Sequence, residues 1–299
     1  MSVSIYKIKK WAKMLSGKSS MHVNQDEGKC YSREKILGYY NNLTEKISRF
    51  GNGEIIPKSV VDTGEEVYFS IAIFQYGLAA YDLYLLNEDD SMLEIVKGCA
   101  DWAIENQQED GRWVTFAFED MSSPYSSMAQ GEAMSLLIRA YRQFGKSEYK
   151  DAAKQAMAFM LIPIEEGGTA MYDGSDLYLY EYTAQPCILN GWIFSAWGLF
   201  DYAKAFNDEQ AFEKWNHTVR TMAKSLPRFD NGYWSKYNMD KVITSPFYHK
   251  LHIAQLHVMY DLTGVDAFKK YAEQFSKYQD SAFCRSRAFL YKVWQKIVE

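Results

Sequence analysis

An all-α chain of repeated helical hairpins, forming a complete or partial α/α barrel (toroid), is what three features of this 299-residue sequence predict. Apolar residues recur at helical spacing almost throughout, and strict strand-type alternation never lasts beyond a few residues. The apolar stretches come in pairs joined by short polar turns, LLNEDDS, FGKSE, FNDEQ and LTGVD. Gly, Asn and Asp in such turns stop one helix and cap the next. The pairs then repeat. In FQYGLAAYDLYLL, SLLIRAYRQF, SAWGLFDYAKAF and QLHVMYDLTG, the residues Tyr81, Tyr141, Tyr202 and Tyr260 fall 60, 61 and 58 residues apart. A unit of that length closing on a turn is one supersecondary element stacked several times. Its recurring Tyr reads as packing.

Taken in order, helices are expected over 4–15, 33–49, 65–87, 91–107, 127–144, 147–161, 190–206, 208–225, 247–263, 266–278 and 286–298. Residues 1–64 read as an N-terminal helical and irregular segment packing on the barrel, with GNGEIIPKSVVDTG as an irregular stretch. Residues 65–299 read as the toroid itself. First helices of each pair would line the middle and second helices the outside. Loops that follow second helices then gather at one mouth. This places 109–126, 166–189 and 229–246 together, with Tyr248 and His249 opening a helix into the same cleft.

A hydrophobic fraction of 47% supports a sizeable core and argues against disorder. The net charge of −5 gives no bulk attraction to nucleic acid, so no nucleic-acid partner is expected. Aromatic residues make up 16% of the chain. Rings stack on the CH-rich faces of sugars, and they also fill helical cores. Cys30, Cys99, Cys187 and Cys284 are scattered with no CxxC pair, so reduced thiols are expected. No charge-free run of about 18 apolar residues suggests a membrane span. The N-terminus is basic without a continuous apolar core, which does not read as a secretory signal. A cytoplasmic location follows as the expectation. Over 4–15, Ile5, Ile8 and Leu15 share one helical face with Trp11 or Ala12, and Lys7, Lys9, Lys10 and Lys13 lie mostly opposite. Such a helix suits either its own domain or the inner face of an anionic membrane. A homodimer is compatible with the sequence.

Three clusters fall at the expected mouth: Pro124 to Glu132, Glu181-Tyr182 with Asn190-Gly191, and Tyr237 with Tyr248, His249 and His252. The two histidines are one turn apart, but no carboxylate at fitting spacing joins them, so no metal site is expected. Ser126 and Ser127 lack a nucleophile-elbow GxSxG, and no Gly-rich phosphate loop follows a strand. Glycoside hydrolysis would need a pair of carboxylates across the cleft. Glu181 with Asp110, Glu119 or Asp230 would serve.

SPYSSMAQGEAMSLLIRAY (123–141), EYTAQPCILNGWIFSAWGLFDY (181–202), LPRFDNGYWSKY (226–237) and YHKLHIAQL (248–256) resemble the C-terminal helical domain of D-glucuronyl C5-epimerases. The resemblance spans about residues 65–280 in the right order. It implies conversion of D-glucuronic to L-iduronic acid residues within heparan-type polysaccharides. By these motifs the family's catalytic tyrosines correspond to Tyr182, Tyr237 and Tyr248, and a glutamate beside the first corresponds to Glu181. Two features depart from the family. Animal members carry a β-rich region before the helical domain, whereas residues 1–64 here do not read as a β-barrel, which fits a bacterial-type member. The basic residue expected just after Tyr237 is replaced by Asn238, Met239 and Asp240.

The implied chemistry suits phenols. C5 epimerisation removes a proton beside a carboxylate and returns one to the other face, so a base, an acid and groups that stabilise the enediolate are needed. A phenol with a pKa near ~10 serves as base or acid once its surroundings tune it. Arg112, Lys236, Lys241, Lys250 and His249 are the candidate cations. Tyr125, Gln130, Arg112, Asn190, Lys236, His249 and His252 are expected to contact substrate, with capping of its helix as the alternative role for Asn190. The route requires no metal or redox cofactor, although some family members bind a metal ion outside the helical domain. The partner is thus a glucuronic-acid-containing glycan, met during polysaccharide biosynthesis. A toroid lyase, a glycoside hydrolase and a non-catalytic glycan-binding subunit are the alternatives.

Overall fold

A computed structural model describes residues 13, 24–50, 54–61, 64–119 and 123–298. Apart from Lys13, the expected helix 4–15 lies outside the described residues. Among the described residues there are ten α-helices and four short strands, so the all-α class with repeated hairpins holds. The chain divides into two compact units, residues 28–222 and residues 1–27 with 223–299.

In the first unit, α1 is Glu45–Phe50, β1 (Ser59–Val60) pairs with β2 (Glu66–Val67), and the hairpins follow. They are α2 (Ser70–Asn87) with α3 (Ser91–Asn106), α4 (Ser127–Phe144) with α5 (Ser147–Met160), and α6 (Leu189–Phe206) with α7 (Glu209–Ser225). The hairpin boundaries follow local chemistry. Ser126 caps α4 by accepting from the Ala129 N–H, and Gly145 ends it in the left-handed conformation. Asn207 does the same after α6.

First and second helices differ as the pairing predicts. Helices α2, α4 and α6 lie side by side and are buried nearly all round, whereas α3 and α5 bury one stripe each. Close approach of α4 and α6 depends on glycine. A Cβ on Gly131 would sit 2.6 Å from Ser195 Cα, and one on Gly198 would strike the Gly131 backbone. Two of the recurring tyrosines share one partner: Tyr141 of α4 and Tyr202 of α6 both meet Phe206 of α6, at ring distances of 6.2 and 4.9 Å.

One expected helix is mostly absent. Of 33–49 only the part from residue 45 onward is helical, within α1. Residues 28–44 instead form a non-helical strap, folded back by Gly28 N–H to Tyr40 O and Gly38 N–H to Cys30 O. Tertiary bonds override the local pattern. The Tyr39 N–H donates to Asp82 at 2.7 Å, and Arg139 donates to the carbonyls of Leu37 and Gly38. Arg139 also pairs with Asp201 at 2.6 Å, and Tyr40 Oη donates to the other oxygen of that carboxylate at 2.6 Å.

The segment between α5 and α6, expected as a glycine-containing loop, contains a β-hairpin. β3 (Ala170–Asp173) and β4 (Asp176–Leu179) join through a two-residue turn at Gly174-Ser175.

In the second unit, a 3-10 turn at Leu226–Phe229 precedes α8 (Pro246–Thr263), α9 (Asp266–Asp280) and α10 (Ala282–Val298). Ser245 caps α8 and Pro246 opens it. α9 packs along α8, and Tyr233, Trp234, Ile243 and Ala288 form a core joined by Tyr278, Cys284 and Tyr291. Among the described residues no helix is long and apolar enough to cross a membrane.

Candidate active site

The strand β4 delivers Glu181 and Tyr182. Its exit is pinned on both sides: the Tyr180 N–H donates to Thr169 O at 2.9 Å, and the Ser127 N–H donates to Tyr180 O at 3.0 Å. The second bond ties this loop to the start of α4. The loop after α3 is tied to the same place by the N–H groups of Thr115 and Phe116, which both donate to Pro124 O. The expected meeting of 109–126 with 166–189 is therefore present within this unit.

Tyr182 is half-buried and stacks on Phe116, with ring centroids 4.1 Å apart and planes 17° from parallel. Its hydroxyl donates to Glu119 Oε1 at 3.4 Å. Glu181, beside it, is buried at 7% exposure. Its carboxyl lies against Gly191 in the first turn of α6, where any Cβ would overlap it. Oε2 of Glu181 has no hydrogen-bond partner. Burial, reinforced by the charge of Glu119, lifts this carboxyl to about 8. The result is a protonated carboxylic acid at neutral pH, one residue from a tyrosine that reaches solvent.

Behind Glu181 lies a second buried acid. Glu132 of α4 is fully buried, accepts from Gln75 Nε2 at 2.7 Å through Oε1, and leaves Oε2 unpartnered. Burial holds it well above the usual carboxylate range; the Gln75 bond and the Lys46 charge oppose this, and the Glu181 charge adds to it. Burial pulls the Lys46 amine down to about 8 against the attraction of Glu132. Tyr39 Oη, also within the field of Glu132, has no hydrogen-bond partner. The sequence places Glu132 at the end of a candidate cluster, Pro124 to Glu132, without a role for it, and points to neither Gln75 nor Lys46. A usable signal existed for Glu132, a carboxylate on the wholly buried stretch MAQGEAMSLLI.

The other expected residues of this unit take varied positions. Arg112 lies over Tyr125, its guanidinium carbon 4.2 Å from the ring centre, and pairs with Asp110 at 3.0 Å. Gln130 is buried and donates to the carbonyls of Gly111 and Ala156. Asn190 is the second residue of α6, whose N-cap is Ile188, so it does not cap the helix. Ser127 meets Ser195 at 2.7 Å, Oγ to Oγ, which makes it a packing contact between α4 and α6.

In the unit formed by residues 1–27 and 223–299, Tyr237 and Tyr248 meet edge to face, with ring centroids 5.1 Å apart. Both are half-buried. His249 and His252 are fully buried. His249 stacks on Trp234 at 3.6 Å, and its Nδ1 lies 3.2 Å from the Ser235 N–H and 2.8 Å from Ser235 Oγ. A backbone N–H can only donate, so Nδ1 accepts and the ring proton sits on Nε2, which donates to Phe275 O at 3.0 Å. His252 Nδ1 lies 3.3 Å from Ser235 Oγ. Lys236 is half-buried, Lys241 is exposed, and Lys250 is paired with Asp26 at 2.8 Å. Asp230 accepts from the Gly232 N–H and from Gln274.

Fold and site together define an all-α protein of stacked helical hairpins, with a phenol and a buried acid where the loops after second helices meet. A profile of the family described as D-glucuronyl C5-epimerase C-terminus matches residues 110–277. The chain belongs to that family. It is 27% identical over 208 residues to a D-glucuronyl C5-epimerase of Caenorhabditis elegans, covering 60% of this chain and 34% of that protein. It is 25% identical over 155 residues to an uncharacterized protein of Methanocaldococcus jannaschii, covering 50% of each. The chain therefore spans half or less of the length of these curated relatives. Among solved structures it is similar to an unsaturated glucuronyl hydrolase responsible for the degradation of glycosaminoglycan, from Bacillus sp. GL1. That likeness has a TM-score of 0.47 and 14% identity, over 79% of this chain and 64% of that one.

Proposed function

We propose that the chain is a uronyl C5-epimerase that converts D-glucuronic to L-iduronic acid residues in a glycan. The observation that carries this reading is the adjacent pair of Tyr182, a loop phenol within reach of solvent, and Glu181, a buried acid lifted to about 8. The family match and the likeness to the D-glucuronyl C5-epimerase of Caenorhabditis elegans support it.

Removing the C5 proton places the electron pair in conjugation with the uronate carboxylate, where charge builds. A protonated Glu181 can donate a hydrogen bond to that carboxylate as it becomes enediolate-like, at no cost of bringing a second negative charge into the site. Tyr182 is assigned to proton transfer at C5, with Glu119 accepting from its hydroxyl. Tyr237 and Tyr248 are assigned to proton transfer on the ground of the family motifs alone. Arg112 and Tyr125 are assigned to substrate contact, because together they offer a cation for a carboxylate and a ring for a sugar face.

Incubation with a glucuronic-acid polymer in D₂O tests the proposal. The expected outcome is deuterium at C5 together with new iduronic acid. Well-folded protein that gives no uptake with any uronic-acid substrate would overturn it. The carboxylates Glu181 and Glu119 also support a second reading, since one is raised by burial and the other is exposed, as an acid and a base of a glycosidase would be. New reducing ends would identify a hydrolase, and the ultraviolet absorbance of a 4,5-unsaturated uronate would identify a lyase.

A further inference from the structure

Helix α10 is built inside out. Its inward face carries Cys284, Ala288 and Tyr291 against Tyr233, Trp234 and Ile243, and with them Lys292 and Gln295, each 7% exposed. Lys292 Nζ donates to Ile243 O at 2.7 Å. Gln295 Nε2 donates to Lys241 O at 2.9 Å, and its Oε1 accepts from the Ile243 N–H at 3.4 Å. These polar bonds fix the rotation of the helix. The outward face then shows Phe283 (72% exposed), Phe289 (45%), Leu290 (67%) and Trp294 (54%). Phe283, Leu290 and Trp294 follow the seven-and-four spacing of a single stripe. Leaving four large apolar side chains in water while a lysine is buried costs free energy with no return inside the fold.

The charge of the segment points to what covers the stripe. SAFCRSRAFLYKVWQKIV (281–298) contains four basic residues and no acidic one. Two of them, Arg285 and Arg287, are exposed and are held by neutral groups. Arg285 donates to the carbonyls of Gln279 and Asp280, and Arg287 lies over the Tyr233 ring at 4.0 Å. Their positive charge thus stays on the surface, flanking Phe and Trp side chains. Aromatic and aliphatic residues at the level of lipid headgroups, bordered by arginines, match an anionic bilayer surface.

We propose that α10 is an interfacial helix that seats this protein on an anionic lipid bilayer through Phe283, Leu290 and Trp294. This site is separate from the expected helix 4–15 and does not depend on the epimerase reading.

The test is co-sedimentation of the full chain with vesicles of phosphatidylcholine alone and of phosphatidylcholine with 30% phosphatidylglycerol, a composition of about one anionic lipid in three. Binding is expected to the second only, and to weaken several-fold as salt rises from about 0.1 to about 0.5 M. The triple change Phe283→Ser, Leu290→Ser, Trp294→Ser should lower binding at least about tenfold with the circular dichroism unchanged. Leu290→Glu alone serves if the triple variant does not fold. Three results would overturn the proposal: absence of binding, equal binding to both vesicles, or variants that bind as well as the parent. A dimer in ultracentrifugation that the variants dissolve, without vesicle binding, would assign the stripe to a second copy instead.

Discussion

The rings of Phe116 and Tyr182 lie one over the other, 4.1 Å between centroids, and this stack positions the Tyr182 ring. The hydroxyl bond to Glu119, at 3.4 Å, is long. Placement and chemistry of this tyrosine are therefore separable. Tyr182→Phe should leave the unfolding free energy within about 0.5 kcal/mol of the parent. It should lower C5 deuterium uptake by about 10²-fold or more, the usual loss when a positioned proton-transfer group is removed. Uptake within about threefold of the parent would remove Tyr182 from the mechanism.

Glu181 makes a prediction about pH. Its carboxyl is raised from 4.5 to about 8, chiefly by burial. Between those two values the folded state holds a proton that the unfolded state has released. The stability tied to that proton is fully present below about 4.5 and is lost as pH rises through about 8. Above about pH 6.5, where the buried histidines no longer oppose it, urea unfolding should therefore show stability falling towards pH 8. Glu181→Gln is neutral throughout, so it should flatten part of that slope and gain on the parent at pH 8. A raised Glu132 nearby contributes a slope of the same sign that the variant retains. In the proposed mechanism deuterium uptake by the parent should also decline above about pH 8. A parent and a variant with the same slope would show that Glu181 is already ionised in the fold.

The fold was largely legible because helix ends carry local chemistry. The expected and observed spans of α4 coincide at 127–144, since Ser126 caps one end and Gly145 stops the other. The helix expected over 33–49 gives way to the strap up to residue 44 for a reason that no local pattern contains. Its apolar residues Ile36, Tyr39, Tyr40 and Leu43 are buried as a helix face would be, but its backbone is held by Asp82 and Arg139, which lie 43 and about 100 residues away. The site divides in the same way. Glu181 and Tyr182 stood out as polar residues beside an apolar helix. The second acid, Glu132, takes its character from Gln75 and Lys46, which are remote in sequence and meet it only once the strap and hairpins have packed.

That strap supplies a stability prediction. Arg139 and Asp201 form an ion pair at 1% and 0% side-chain exposure, and the remaining donors of Arg139 reach the carbonyls of Ser135, Leu37 and Gly38. Breaking such a pair from one side strands a buried charge and costs about 3–5 kcal/mol. Arg139→Met should lower the thermal midpoint by roughly 10 °C. The double change Arg139→Met, Asp201→Leu should recover part of the loss, because it removes the stranded carboxylate. A single variant within about 1 kcal/mol of the parent would show that the strap is held by its aromatic packing instead.

The buried histidines give a pH dependence of opposite sign. His249 accepts through Nδ1 from the Ser235 N–H and donates through Nε2 to Phe275 O, an arrangement that only the neutral ring can make. His252 is equally buried beside it. Burial lowers both from 6.5 to about 3; the Phe275 bond opposes this at His249, and the neighbouring His249 charge adds to it at His252. From about 6.5 down to about 3 the unfolded chain binds protons that the folded chain refuses. The stability contributed by the neutral rings is fully present above that window and is lost as pH falls through it, by up to roughly 1.4 kcal/mol per pH unit for each ring. Below about pH 4.5, where the raised carboxyls Glu181 and Glu132 no longer oppose it, urea midpoints should fall steeply towards pH 3. His252→Gln, which does not titrate, should make that fall shallower, and the difference should vanish above pH 7. Equal slopes in parent and variant would mean that His252 is protonated inside the fold, against its burial.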